Sequence, residues 1–102
     1  EAVKRAGKIG KVAITGNSTP GKMRPYIKDG VLQSFYLWDP RALGALTVRM
    51  AKLLADGKPI SDGMEIPGHG KVSISKQDEK TVIMADPIRF TKENIDKYDF
   101  GI

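Results

Sequence analysis

The sequence predicts an α/β fold organised on a parallel βαβ unit, and three neighbouring stretches predict it. The apolar run Val12, Ala13, Ile14 stops at Gly16 and a polar loop. A helix signal follows, opened by Ser18 or Thr19 with Pro20 at the first turn and closed at Gly30. A β-rich run from Val31 to Trp38 comes next. Strand, crossover helix and strand in about thirty residues is the pattern of a parallel βαβ unit. Ligands of open α/β sheets bind beyond the carboxyl ends of the strands. Those ends carry Gly16–Thr19 and Leu37–Asp39 here, so Asn17, Ser18, Trp38 and Asp39 are the candidate ligand contacts.

Each element has its own local reason. Residues 1–8 read as the end of a helix closed by Gly7 or Gly10. Lys11–Thr15 is expected as a short buried strand. The helix after Pro20 runs to about Asp29, with Met23, Tyr26 and Ile27 on one face and Pro25 expected to shorten or kink it. Val31–Trp38 is expected as the second strand. Asp39 then caps a new helix with Pro40 in its first turn. Leu43, Leu46, Met50, Leu53 and Leu54 recur three or four apart, which predicts an amphipathic helix of about four turns. Gly57 is its stop.

Lys58–Gly70 is rich in glycine and proline and reads as a loop. Lys71–Ser75 alternates, with Val72 and Ile74 on one face. Lys76–Lys80 is turn-like and Thr81–Ala85 is strongly β, so the pair predicts a hairpin. Asp86-Pro87 breaks it. Ile88–Phe90 is expected as a last short strand, and Thr91 as the cap of one helical turn through Ile95.

Composition narrows the function. At 102 residues there is room for one small domain or part of a larger one. The chain has no cysteine, hence neither a disulfide framework nor a thiolate metal site. No apolar run approaches a membrane span. Seventeen basic against twelve acidic residues give a net charge of +5. The basic groups are scattered; only Lys4, Arg5, Lys8 and Lys11 cluster, and the aromatics do not interleave with them as a stacking platform would. The expectation is therefore no nucleic-acid partner. Glu1 opens a helix-like run without a cap, and we read the chain as a fragment or processed product.

Catalytic chemistry is not indicated. His69 is the only histidine and lies between two glycines, where an exposed loop position is expected. Ser18 sits in Gly-Asn-Ser-Thr-Pro, which is not a nucleophile elbow, and the same loop lacks the Gly-Lys-Ser/Thr ending of a phosphate loop. Asp78-Glu79 and Asp96/Asp99 fall in turn-like stretches. The expectation is no enzyme, no catalytic residue, no metal and no cofactor. Recognition remains: Trp38 is either core or a flat surface for a ring-shaped ligand, and its indole N–H needs a partner in both cases. Asp39 is a cap that can also accept hydroxyl protons, and Asn17 and Ser18 can add hydrogen bonds.

The stretches STPGKMRPYIKDGVLQSFYLWDP, LADGK, GHGKV and TKENIDKYDF together resemble the C-terminal part of sugar-type periplasmic binding proteins of ABC importers. The resemblance is strongest to the group that binds autoinducer-2 or rhamnose. It implies a C-terminal fragment of a two-lobed α/β fold, about the last third, with ligand trapped in an interlobe cleft. Residues 1–38 would belong to one lobe, 39–70 to a crossover helix and loop of the other, and 71–102 to a hairpin-like tail crossing back. It implies a non-enzymatic solute-binding role, periplasmic or otherwise extracytoplasmic, as a lipoprotein in a Gram-positive host. The partners would be a sugar or sugar-like ligand and ABC permease subunits. Ser18 stands where related sugar-binding proteins often carry an Asp to the sugar. Trp38-Asp39-Pro40 stands where they often carry Gln-Asp-Pro, so Trp38 would stack on the ligand. Missing strands would leave sheet edges open, and the isolated chain is expected to be either self-associated or poorly stable. The alternatives are the effector-sensing domain of a sugar-responsive transcription regulator and a ligand-free α/β interaction module.

Overall fold

The structure, a computed structural model, describes residues 1–100. The chain divides into two compact units, one made of 1–37 together with 87–102, the other of 38–86.

The first unit contains a short helix α1 (Ala2–Arg5), helix α2 (Pro20–Lys28) and strand β1 (Phe35–Leu37). Pro20 occupies the first turn of α2, where its missing N–H costs nothing. The helix runs unbroken through Pro25 to Lys28. The expected shortening does not occur, because a proline here removes a single intrahelical bond, to the carbonyl four residues back. At the other end Gly30 turns with φ 72°, and two backbone bonds close the helix: Gly30 N–H to Ile27 O (3.1 Å) and Val31 N–H to Tyr26 O (2.9 Å). This paired 5→2 and 6→1 closure needs a residue comfortable at positive φ.

Both predicted strands flanking α2 are shorter than expected. Lys11–Thr15 is not a strand; Val12 is exposed, and the backbone joins its neighbour only at a single parallel bridge, Asn17 with Tyr36. The reason is lateral: Ile14 N–H is taken by the side-chain oxygen of Gln33 (2.9 Å) rather than by a ladder. The predicted run 31–38 is strand only over Phe35–Leu37. Val31 and Leu32 are buried by the turn after α2 instead. The parallel sense of the predicted unit nevertheless holds at the bridge, with Tyr36 N–H on Gly16 O (2.9 Å) and Ser18 N–H on Tyr36 O (3.4 Å).

The unit is completed from the far end of the chain, where Ile88–Phe90 pairs antiparallel with β1, Phe35 opposite Phe90. Their rings stack at 4.7 Å, and Tyr98 and Phe100 meet Phe90 edge-on at 5.0 and 6.1 Å. Ile27, Leu32 and Ile95 close this core. The helical turn expected from Thr91 through Ile95 is displaced: residues 92–94 form a turn, with Ile95 N–H on Thr91 O, and a 3-10 turn follows over Ile95–Lys97 with Asn94, not Thr91, at its N-cap. Arg24 of α2 holds that tail through Tyr98 O (2.8 Å), and Lys28 reaches Asp96 (2.9 Å).

The second unit is built on helix α3 (Pro40–Ala55), as the apolar spacing predicts. Asp39 caps it, its Oδ1 accepting from Arg41 N–H (2.8 Å) and Ala42 N–H (3.2 Å). Gly57 at φ 70° closes it, with Gly57 N–H on Leu54 O and Lys58 N–H on Leu53 O. Leu46 is buried against Ile66 and Val72, with Met50 and Leu53 partly so, while Leu43 and Leu54 of the predicted stripe stay exposed.

The stretch 58–70, expected as loop, carries a small hairpin: β2 (Glu65–Ile66) pairs antiparallel with β3 (Gly70–Lys71). Such two-residue strands leave no alternation for a sequence pattern to show. The predicted hairpin follows as β4 (Ser73–Ile74) and β5 (Val82–Ile83), again short and antiparallel. Ile88–Phe90, the partner of β1, is β6. No helix of the described residues is long and apolar enough to cross a membrane.

Candidate functional site

The four candidate residues fall into two pairs. Asn17 and Ser18 belong to the first unit and Trp38 and Asp39 to the second. Asn17 is exposed and Ser18 half-buried, immediately before α2. They sit at the parallel bridge with Tyr36 and border a depression of ≈ 220 Å³ with Ile14, Met23, Leu32 and Phe35. The helix cap is Thr19, not Ser18, and the Thr19 hydroxyl is buried without a hydrogen-bond partner among the described residues. Ser18 is thereby relieved of the capping role, and its backbone N–H serves the bridge instead.

Trp38 directly follows β1 and is 40% exposed, so it is not a core residue. Its indole Nε1–H donates to Ala85 O at 3.2 Å. The polar edge of the ring is therefore committed to backbone, and the ring borders an apolar depression of ≈ 250 Å³ with Leu43, Val82, Ile83 and Met84. Next in the chain, Asp39 spends Oδ1 on two α3 amides. That fixes its χ angles and places a carboxylate at a helix N-terminus, where the helix dipole stabilises it.

His69 corrects an expectation. It is half-buried, not an exposed loop residue, and its Nε2 lies 3.0 Å from Met84 O. A carbonyl can only accept, so that nitrogen carries the proton. The positive φ of Gly68 (73°) and Gly70 (109°) on either side turns the loop tightly enough to direct the ring inward. Among the described residues no group of three or more His, Asp or Glu gathers as metal ligands.

Residues 1–59 match the model of a periplasmic binding protein domain. The chain belongs to the periplasmic binding protein family. Two solved structures extend the likeness over nearly all of it. A sugar ABC transporter protein from Actinomyces odontolyticus is 37% identical, with a TM-score of 0.73. The match covers 95% of this chain and 31% of that one. LsrB from Clostridium saccharobutylicum, solved in complex with AI-2, is 33% identical with a TM-score of 0.72, over 96% of this chain and 35% of its own. The chain thus spans about a third of the length of the solved relatives it matches. The expected family and α/β fold class are those the comparisons find.

Proposed function

We propose that this chain is part of the solute-binding component of an ABC importer. It would capture a sugar or sugar-like ligand of the rhamnose or autoinducer-2 type outside the cytoplasmic membrane and hand it to permease subunits, without catalysing a reaction. The observation that carries the reading is 37% identity to a sugar ABC transporter protein across 95% of the chain. The likeness to an AI-2 complex points to small polyhydroxylated ligands. The division into two compact units supports reading the chain as pieces of two lobes.

Within this reading, Asn17 and Ser18 in one unit and Trp38 and Asp39 in the other are the ligand contacts. The indole N–H is held by Ala85 O, so a ligand would meet the ring face of Trp38. Asp39, already oriented by α3, would accept a sugar hydroxyl proton. A lipid-anchored form in a Gram-positive host belongs to the same proposal. Self-association or low stability of the isolated chain belongs to the same reading, since the three sheets of the described residues have only two strands each and β1's second edge is met only at the Asn17–Tyr36 bridge.

Isothermal titration of the full-length parent protein with rhamnose, ribose and autoinducer-2 tests the reading. Heat with one of them supports it; silence with all three removes the substrate class. Trp38→Ala should then weaken binding at least tenfold. Sedimentation velocity and thermal melting of the 102-residue chain test this, and a single monomeric boundary together with a cooperative melt would refute it.

A further inference from the structure

An open groove of ≈ 230 Å³ lies inside the second unit, beside the C-terminal half of α3. Leu53 of α3, with Ile66 and Pro67 of the β2–β3 hairpin, supplies its carbon surface. Arg49, Lys52 and Lys58 border that surface, and Asp56 is the one acid among the lining residues. Asp56 is already answered: Lys52 Nζ lies 2.9 Å from its Oδ2, one turn along the helix. Arg49 and Lys58 have no carboxylate partner among the described residues. Arg49 is half-buried, and its Nη1–H donates to Gly68 O at 3.4 Å. A Cβ at position 68 would stand 2.9 Å from Arg49 Nη2, so a glycine, here at φ 73°, is what lets the guanidinium settle on the turn. The fork is thereby held in place with its remaining N–H donors uncommitted among the described residues.

We propose that this groove docks an acidic peptide segment of a partner protein, which lays an apolar side chain on Leu53, Ile66 and Pro67 and sets flanking carboxylates on Arg49 and Lys58. A planar guanidinium meets a carboxylate through two parallel hydrogen bonds, a geometry that a lysine does not offer. Partial burial of Arg49 strengthens such a pair over a fully solvated one. Size decides between classes of ligand. Pockets for drug-sized molecules run from about 300 to 1,000 Å³. At ≈ 230 Å³ the groove fits one side chain rather than a whole small molecule. Charge decides between classes of macromolecule. Nucleic acids and anionic membranes are held by sets of about four or more basic groups, and two unpaired cations fall short of that. One anchoring side chain inside a charged rim is how protein partners concentrate their binding energy. None of the four proposed sugar contacts lines the groove, so it is a second surface.

The test uses the full-length parent protein and two fluorescein-labelled peptides, Glu-Leu-Glu-Phe-Glu and Gln-Leu-Gln-Phe-Gln, read by fluorescence polarisation. The acidic peptide should bind about tenfold more tightly than its amide twin, and added salt should weaken it. Arg49→Gln should cost about tenfold in its affinity. Lys58→Gln should cost about threefold, and that side chain makes no hydrogen bond or ion pair among the described residues whose loss could disturb the fold. Lys76→Gln, at an exposed lysine elsewhere in the same unit, should change nothing. Equal binding of the two peptides would overturn the proposal, and so would no binding of the acidic one at millimolar concentration. Equal loss in Lys58→Gln and Lys76→Gln would reduce the attraction to diffuse charge and overturn it as well. Acetic anhydride labelling without peptide should modify Lys52 and Lys58 as readily as Lys76. Protection of both would mean that another segment of the parent protein fills the groove, which also overturns the proposal. No readout involves sugar, so the outcome is independent of the transport reading.

Discussion

The two units are stabilised in different ways. The first is closed by aromatic rings drawn from opposite ends of the sequence, with Phe90 at 0% exposure between Phe35, Tyr98 and Phe100. The second is continuous in sequence and has a thin aliphatic core, Leu46 against Ile66 and Val72. Much of its apolar surface stays in water: Val48 is 70% exposed and Leu54 61%. What substitutes for a large core there is local hydrogen bonding. Asp39 caps α3, Asp62 Oδ1 accepts from Ile74 N–H (2.8 Å), and Asp78 closes the β4–β5 turn. One unit depends on long-range packing and the other on short-range polar closure, so the same kind of substitution should weigh differently in each.

The largest effect is expected in the aromatic core. Phe90→Ala should destabilise the first unit by about 3–5 kcal/mol, since it removes a stacked ring and leaves a cavity under two others. Loss of exchange protection at 26–35, with α3 retained, would be the signature. Leu46→Ala in the second unit should cost less, about 2 kcal/mol, because neighbouring side chains are partly open and can collapse into the gap. A larger loss than in Phe90→Ala, measured by urea unfolding followed by amide signals in each unit, would reverse the comparison. Asp39→Ala should cost the second unit about 1 kcal/mol by leaving two α3 amides without their acceptor, and should fray α3 from residue 40.

The smallest effect is electrostatic. The Thr81 hydroxyl, and then the Lys80 N–H, hold the Asp78 carboxyl below its usual 3.8. Its contribution is therefore complete above pH 3.8 and fades as pH falls through the lower folded value. Thr81→Val should raise the Asp78 midpoint toward 3.8 and leave the hairpin less sensitive to acid, as carboxyl-carbon titration by NMR would show.

What could be read in advance divides along the same line. The second unit's helix was legible because everything that makes it is local: Asp39-Pro40 at the start, leucines at helical spacing, and Gly57 at the end. The β4–β5 hairpin was legible for the same reason, although only two residues per strand pair. The first unit was harder. Ile88–Phe90 reads as a strand, but its pairing with Phe35–Leu37 is set by ring packing between distant segments, which no spacing rule reports. Val12 to Thr15 has the composition of a buried strand yet lacks a ladder, because Gln33 takes the Ile14 amide.

At the candidate site, the sequence marks Asp39 as a cap and Trp38 as a ring whose N–H needs a partner. It cannot say that the partner is Ala85 O. His69 was misplaced for a related reason. A histidine between glycines carries the composition of an exposed loop, and only the turn geometry reveals that its ring faces a backbone carbonyl.

The divided first unit has a consequence for the order in which the protein is made. Synthesis delivers residues 1–37 before 38–86, and the strand that carries Phe90 only after both. The opening segment must wait on the ribosome with Phe35 unpartnered while the middle segment is free to fold at once. Residues 87–100 therefore complete a unit begun before 38–86 were made, and a nascent chain stalled before Phe90 should show 38–86 folded while Phe35 still lacks its partner.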